Sequence, residues 1–281
     1  MIARLLAASL LFPTAAAFAT PGLNVAPATA VGTFTSQGVT LRMQSAVAFR
    51  GKASVGAGDA LIVAVATVRM NAAAIADYVD RRRVIEKRVR DGEMGIVYFE
   101  LAPDGRYLGM SYQLGPGNGC APCSAEVTST ARIVGDWLGG DLVSTGTDRS
   151  FDLTLVAPLL SDDHGVPLPA DGGDPGRAYA AYREALSRTD RAALKPLLSP
   201  EQRSFTEGLE KDGKADAHVQ ALATAHRGQS LRVTGGYANG DKAVLLIAGE
   251  SSAGPVAGEV LLVRESGRWR VDDEITERGA R

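Results

Sequence analysis

SDDHGVPLPADGG, residues 161–173, holds two prolines, three glycines and three aspartates, and its apolar positions follow no period. Proline removes backbone donors and glycine favours open conformations, so the stretch reads as an interdomain linker. Its weight lies in what it separates. Short alternating strands precede it; helices and then strands follow it. The expected fold class is therefore α+β, with a β-rich domain at residues 31–160 and a second domain at residues 174–276. Residues 277–281 are left as a tail.

Upstream, residues 33–35, a Gln37-Gly38 turn and residues 39–50 read as a hairpin. In its second strand Val39, Leu41, Met43, Val47 and Phe49 share one face and Thr40, Arg42, Gln44 and Arg50 the other. ALIVAVAT, residues 60–67, is apolar throughout and suits a central strand covered on both faces. One long helix is expected from an N-cap at Asn71 to a stop at Gly92, carrying Ile75, Tyr78, Val79, Ile85 and Val89 on its buried side. Pro103-Asp104-Gly105 marks a second hairpin. With about seven strands separated by glycine-rich turns, the first domain is expected to be sandwich- or barrel-like with one helix.

Downstream, Asp174-Pro175 reads as a cap followed by proline at the first helical position. Asp190 caps a second helix, and Ser199-Pro200-Glu201-Gln202 has the form of a capping box opening a third. A fourth helical stretch covers residues 215–225. Strands are expected at residues 231–237, 242–248, 258–264 and 268–272, with Asn239-Gly240 and Ser266-Gly267 at turns. The runs YAAYREALSRTDRAALKPLLSPEQR (179–203), VTGGYANGDKAVLLIAGE (233–250) and GEVLLVRESGRWRVDDE (258–274) resemble the NTF2-like, or cystatin-like, α+β domains of bacterial exported proteins. The resemblance covers about residues 175–276. It implies helices packed on a curved antiparallel sheet, a conical cavity between them, and in catalytic members an acid/base pair within it. The first half resembles uncharacterised bacterial exported β-rich domains, a likeness that brings no function with it.

The chain's start reads as a cleavable signal at residues 1–19. Arg4 precedes an apolar run at residues 5–12, Pro13 breaks it, and Ala17-Phe18-Ala19 offers a small-x-small site before Thr20. The run is shorter than the ~20 residues of a spanning helix. Residues 20–30 read as a flexible lead-in. The expected location is periplasmic or secreted, with no membrane span. Thirty basic and 32 acidic residues leave a formal charge of −2, which argues against a general nucleic-acid binder.

Cys120-Ala121-Pro122-Cys123 contains both cysteines of the chain. Three readings are open: a disulfide favoured by an oxidising compartment, a redox-active pair, or half of a metal site. The residues that follow alternate like a strand, so no helix dipole is expected to activate Cys120. Arg81, Arg82, Arg83, Lys87, Arg88 and Arg90 form a basic cluster, read as a solvated face or as a docking surface for anionic lipid, cell-wall polymer or an acidic partner. Tyr179, Tyr182, Tyr237 and Trp269 are candidate lining of a pocket in the second domain, with plain core as the alternative. His218 and His226 read as surface residues and Asp272, Asp273 and Glu274 as a solvated run. No motif assigns a catalytic residue, a cofactor or a metal. The function expected is non-catalytic binding or an accessory role in the bacterial envelope, with a small apolar ligand or a protein partner, and a homodimer through the sheet face. A pocket isomerase, dehydratase or hydrolase and a thiol–disulfide protein are the alternatives.

Overall fold

The computed structural model describes residues 28–54, 58–115, 118–123 and 125–278. The signal-like segment with Ala19 and Thr20 lies outside the described residues. The architecture is mixed α+β, with three antiparallel sheets and six α-helices among the described residues.

The chain opens with β1 (Thr29–Ser36) and β2 (Val39–Met43), so pairing begins inside the expected lead-in. Gln37 and Gly38 both take positive φ, 50° and 75°, the geometry that a two-residue hairpin turn of the right twist requires. The long second strand expected at residues 39–50 is broken. At Gln44 the backbone leaves its first partner, and its N–H donates to Ala66 O (2.8 Å), carrying β3 (Ser45–Lys52) into another sheet. From Ser45 to Phe49 every side chain is buried, because this strand has a core on each face. β4 (Asp59–Ala66) is equally covered: Leu61, Val63 and Val65 enter one core, and Ile62, Ala64 and Ala66 the other.

Next come α1 (Ala72–Ala76) and α2 (Arg81–Arg90), two helices where one was expected. The cause is local. Asp80 turns its carboxylate onto the N–H of Arg83 (3.1 Å), capping a new helix. The preceding amides, Val79 N and Asp80 N, donate outward at 2.8 and 2.7 Å to Glu259, a residue 180 positions away. β5 (Ile96–Leu101), β6 (Tyr107–Gln113) and β7 (Gly119–Cys123) complete this sheet in the order β3-β4-β5-β6-β7. Gly105 closes the β5–β6 hairpin at φ 87°, where a Cβ would lie 1.9 Å from Ala131 O.

The chain then returns to the first sheet with β8 (Thr128–Ser129), β9 (Arg132–Val134), β10 (Trp137–Thr145) and β11 (Arg149–Pro158). The two sheets face each other over a core that includes Phe34, Phe99, Met110 and Phe151, with Phe99 and Phe151 edge to face at 5.1 Å. A second core, around Ile62, Ile85, Val89 and Ile96, lies between the β3–β7 sheet and the α1–α2 layer.

The expected linker is not all coil. Within it β12 (Val166–Pro167) pairs with Ala238 and Tyr237 and becomes an edge of the third sheet. α3 (Gly173–Ser187) has Gly172 as its N-cap, ahead of the cap expected at Asp174. α4 (Arg191–Leu194), a 3-10 turn at Lys195–Leu197, α5 (Pro200–Lys211) and α6 (Ala215–His226) follow. Asp190 and Ser199 cap α4 and α5, accepting from Ala193 N (2.9 Å) and Gln202 N (3.1 Å). The sheet β12-β13-β14-β15-β16 is completed by β13 (Arg232–Asn239), β14 (Lys242–Ser251), β15 (Gly254–Glu265) and β16 (Arg268–Arg278). β16 runs through the acidic triplet and into the expected tail, so Asp272, Asp273 and Glu274 belong to a strand rather than a solvated end. Helices cover one face of this sheet over a third core that includes Tyr179, Leu186, Leu245 and Val260.

Candidate functional site

Strand alternation sends neighbouring acids of β16 in opposite directions. Glu274 pairs with Val260, a core residue, so it lies on the face beneath the helices. Asp273 pairs with Leu261 on the outer face, beside Glu259 and Glu277.

Beneath the helices is a cavity of about 390 Å³, walled by α3 to α6 and by β16, with Lys87 of α2 at its rim. Its apolar wall includes Leu194, Leu198, Val219 and Leu222, and Phe205 stands at the mouth, 52% exposed and edge to face with His218 at 5.5 Å. The polar lining includes Tyr182, His226 and Glu274 and, from the same strand as Glu274, Asp272 and Asp273.

Glu274 is the chemical centre of this wall. Its side chain is only 7% exposed, and burial pushes its carboxyl up to about 7. The Tyr179 hydroxyl donates to Oε1 (3.0 Å), which with the Arg183 charge opposes that rise, while Asp273 adds to it. Oε2 is buried with no hydrogen-bond partner among the described residues. The His226 imidazole sits with Nδ1 3.6 Å from Oε1, beyond a good hydrogen bond, and is also unpartnered at that atom. Burial first, and the Arg183 charge second, hold His226 down to about 4. Near pH 6 both groups are therefore neutral. Tyr179 and Tyr182 stack at 6.1 Å, and burial raises both hydroxyls well above their ordinary value.

Of the four expected lining residues, Tyr182 alone lines this cavity. Tyr179 acts one step behind it, through Glu274. Tyr237 lies on the opposite face of the sheet, in a groove of about 530 Å³ where His164 approaches its ring at 5.6 Å. Trp269 packs at the edge of the core under Arg264, 5.3 Å away. His226, expected at the surface, is 15% exposed. What was missed is Glu274: alternation continued from Val271 would send it to the opposite face, and it is the bulge at Asp272 that returns it to the side of Val260 and the core.

The basic cluster is not a free surface. The Arg81 side chain is 2% exposed, pairs with Asp162 (3.0 Å) and donates to Ser161 O. Arg82 lies over the Tyr98 ring (4.4 Å) and donates to Ser111 (3.0 Å). Arg83 meets Asp80 (3.1 Å), Glu259 (3.8 Å) and Glu277 (3.5 Å), and Arg90 meets Glu277 (2.6 Å). Lys87 and Arg88 pair locally with Asp91 and Glu93. Its counter-charges are partly local, Asp80, Glu86, Asp91 and Glu93, and partly distant, Asp162, Glu259 and Glu277. Tyr78 adds a hydrogen bond to Asp273, so α1–α2 docks on the outer face of the third sheet. A homodimer through that face would share it with the chain's own helices.

No protein-family model and no curated protein matches this chain. The cysteines, in the first half, sit on edge strand β7 with their sulfurs at bonding distance, 2.17 Å. Neither is at a helix N-terminus, so the dipole that activates a redox thiol is missing there. Among the described residues no three His, Cys, Asp or Glu side chains are placed to hold a metal ion, and no helix is long and apolar enough to cross a membrane.

Proposed function

We propose that this is an exported envelope protein with a non-catalytic binding role, whose second half holds a small molecule in the cavity under its helices. The observation that carries this reading is the Glu274–His226 wall. Two buried polar atoms without partners each cost about 1–3 kcal/mol, which a bound molecule can offset. The exposed Phe205 at the mouth and the aliphatic wall provide the apolar contact that such sites require. The NTF2-like reading of this half agrees with helices over an antiparallel meander and a cavity between them. Export rests on the N-terminal pattern together with the bonded cysteine pair.

Fragment screening by amide NMR on the full chain tests the reading. Shifts should cluster at Tyr182, Val219, Leu222 and Glu274 and vanish when Leu222→Trp fills the cavity. Shifts that map elsewhere, or survive the filling, would refute it.

One observation favours a second reading, an acid–base enzyme in the same cavity. A carboxyl poised at about 7 suits proton transfer near neutral pH. Turnover of any bound fragment, lost in Glu274→Gln while binding persists, would establish catalysis over simple binding.

A further inference from the structure

We propose that Cys120 and Cys123 form a thiol–disulfide exchange site for small disulfide-bearing molecules, with Cys120 as the sulfur that meets them and Arg149 as the charge that favours its thiolate.

The two sulfurs differ in access. Cys123 is 7% exposed and belongs to the first core, whereas half-buried Cys120 packs against that core and opens onto a cleft. The cleft, about 410 Å³, lies between the β1–β2 turn at Gln37 and Gly38 and the β10–β11 turn at Thr147, Asp148 and Arg149. Ser36 and Tyr112 also line it, with their hydroxyl oxygens 2.7 Å apart. Cys123 does not reach this space, so a molecule entering it touches Cys120 first.

A cation stands beside that sulfur. Arg149 Nη1 lies 3.5 Å from Cys120 Sγ. Among the described residues its guanidinium has no carboxylate at ion-pair distance, although exposed Asp148 lines the same cleft. Its charge also reaches Tyr107, where it opposes the rise that burial gives that hydroxyl. A guanidinium in contact with a cysteine sulfur favours thiolate over thiol, the service a helix N-terminus performs in other exchange sites.

The step balances without a further reagent. In the reduced chain the Cys120 thiolate attacks one sulfur of a disulfide R–S–S–R; that bond breaks, one R–S⁻ leaves and a mixed disulfide forms on Cys120. Cys123 gives its proton to solvent and its thiolate attacks the Cys120 sulfur. The second R–S⁻ leaves as the Cys120–Cys123 bond closes. The chain has lost two electrons and the disulfide has become two thiols, and excess thiol runs the sequence in reverse.

The full chain, reduced with dithiothreitol and freed of it, tests this by iodoacetamide alkylation with mass spectrometry at each cysteine. At pH 7 Cys120 is expected to react about tenfold faster than Cys123, and Arg149→Met to slow Cys120 about threefold. At pH 10 both proteins ionise Cys120 unaided, and the variant should be no slower, because the less stabilised thiolate is the better nucleophile. Glutathione disulfide should draw two thiols from each reduced wild-type chain. Cys123→Ser should stop after one, with glutathione on Cys120. Circular dichroism confirms that the reduced chain and each variant stay folded. A native disulfide that dithiothreitol leaves intact, or whose reduction unfolds the chain, is a structural staple and overturns the proposal. A Cys120 rate at pH 7 that ignores Arg149→Met, or wild-type Cys123 reacting as fast as Cys120, overturns it as well.

Discussion

Glu274 and His226 place opposite demands on the proton inventory of folding. Burial holds Glu274 above its ordinary 4.5, at about 7, so between those values the folded chain keeps a proton that the unfolded chain has lost. Stability contributed by this group therefore falls as pH rises through that window. His226 is held below 6.5, at about 4, so between those values the unfolded chain takes up a proton that the folded chain refuses, and stability rises with pH. Each slope is about 1.4 kcal/mol per pH unit, and across pH 4.5–6.5 they oppose one another. Relative to wild type, Glu274→Gln should show stability that climbs more steeply with pH over this range, and His226→Gln stability that declines. Urea unfolding at half-unit pH steps measures both; parallel curves for all three proteins would count against the assigned pair. Glu274 follows two aspartates near the chain's end, and a run of acids there reads as solvated, yet strand alternation separates Asp273 from Glu274 and buries the latter.

Elements show where local rules sufficed and where a distant residue decided. The caps at Asp190 and Ser199, the turns at Gln37-Gly38 and Pro103-Asp104-Gly105, and the doubly buried β4 were legible because their causes lie within a few residues. The break between α1 and α2 was not, because Val79 N and Asp80 N find their acceptor on β15. Glu259 is 1% exposed, and burial raises its carboxyl while those two amides and Arg83 pull it back. Glu259→Ala should cost about 2–3 kcal/mol, since it removes a charged acceptor from two buried donors. It should also speed hydrogen exchange at Val79 and Asp80. Exchange there that is unchanged would place the helix break under local control instead. In the first core, Phe99→Ala should cost about 3–5 kcal/mol by leaving a cavity between two sheets; a urea midpoint close to wild type would contradict that packing.

On the scale of the molecule, the layers run sheet, sheet, helices, sheet, helices, with apolar cores at three boundaries and a polar seam between α1–α2 and the third sheet. Composition could not show the seam: six basic residues in ten read as a surface until Asp162, Glu259 and Glu277 arrive from other elements. The linker reading marks where strands give way to helices, although Val166–Pro167 joins the third sheet and ties the segment down. The cavity was expected from the resemblance, but its polar wall was not, since Tyr182, His226 and Glu274 meet only in three dimensions. The acid–base reading of that cavity requires a carboxyl that is neutral in mildly acid solution. Carbon-detected NMR titration of the Glu274 side chain in the full-length protein reports this directly. A midpoint near 7 is predicted, and a midpoint near the ordinary 4.5 would contradict the account.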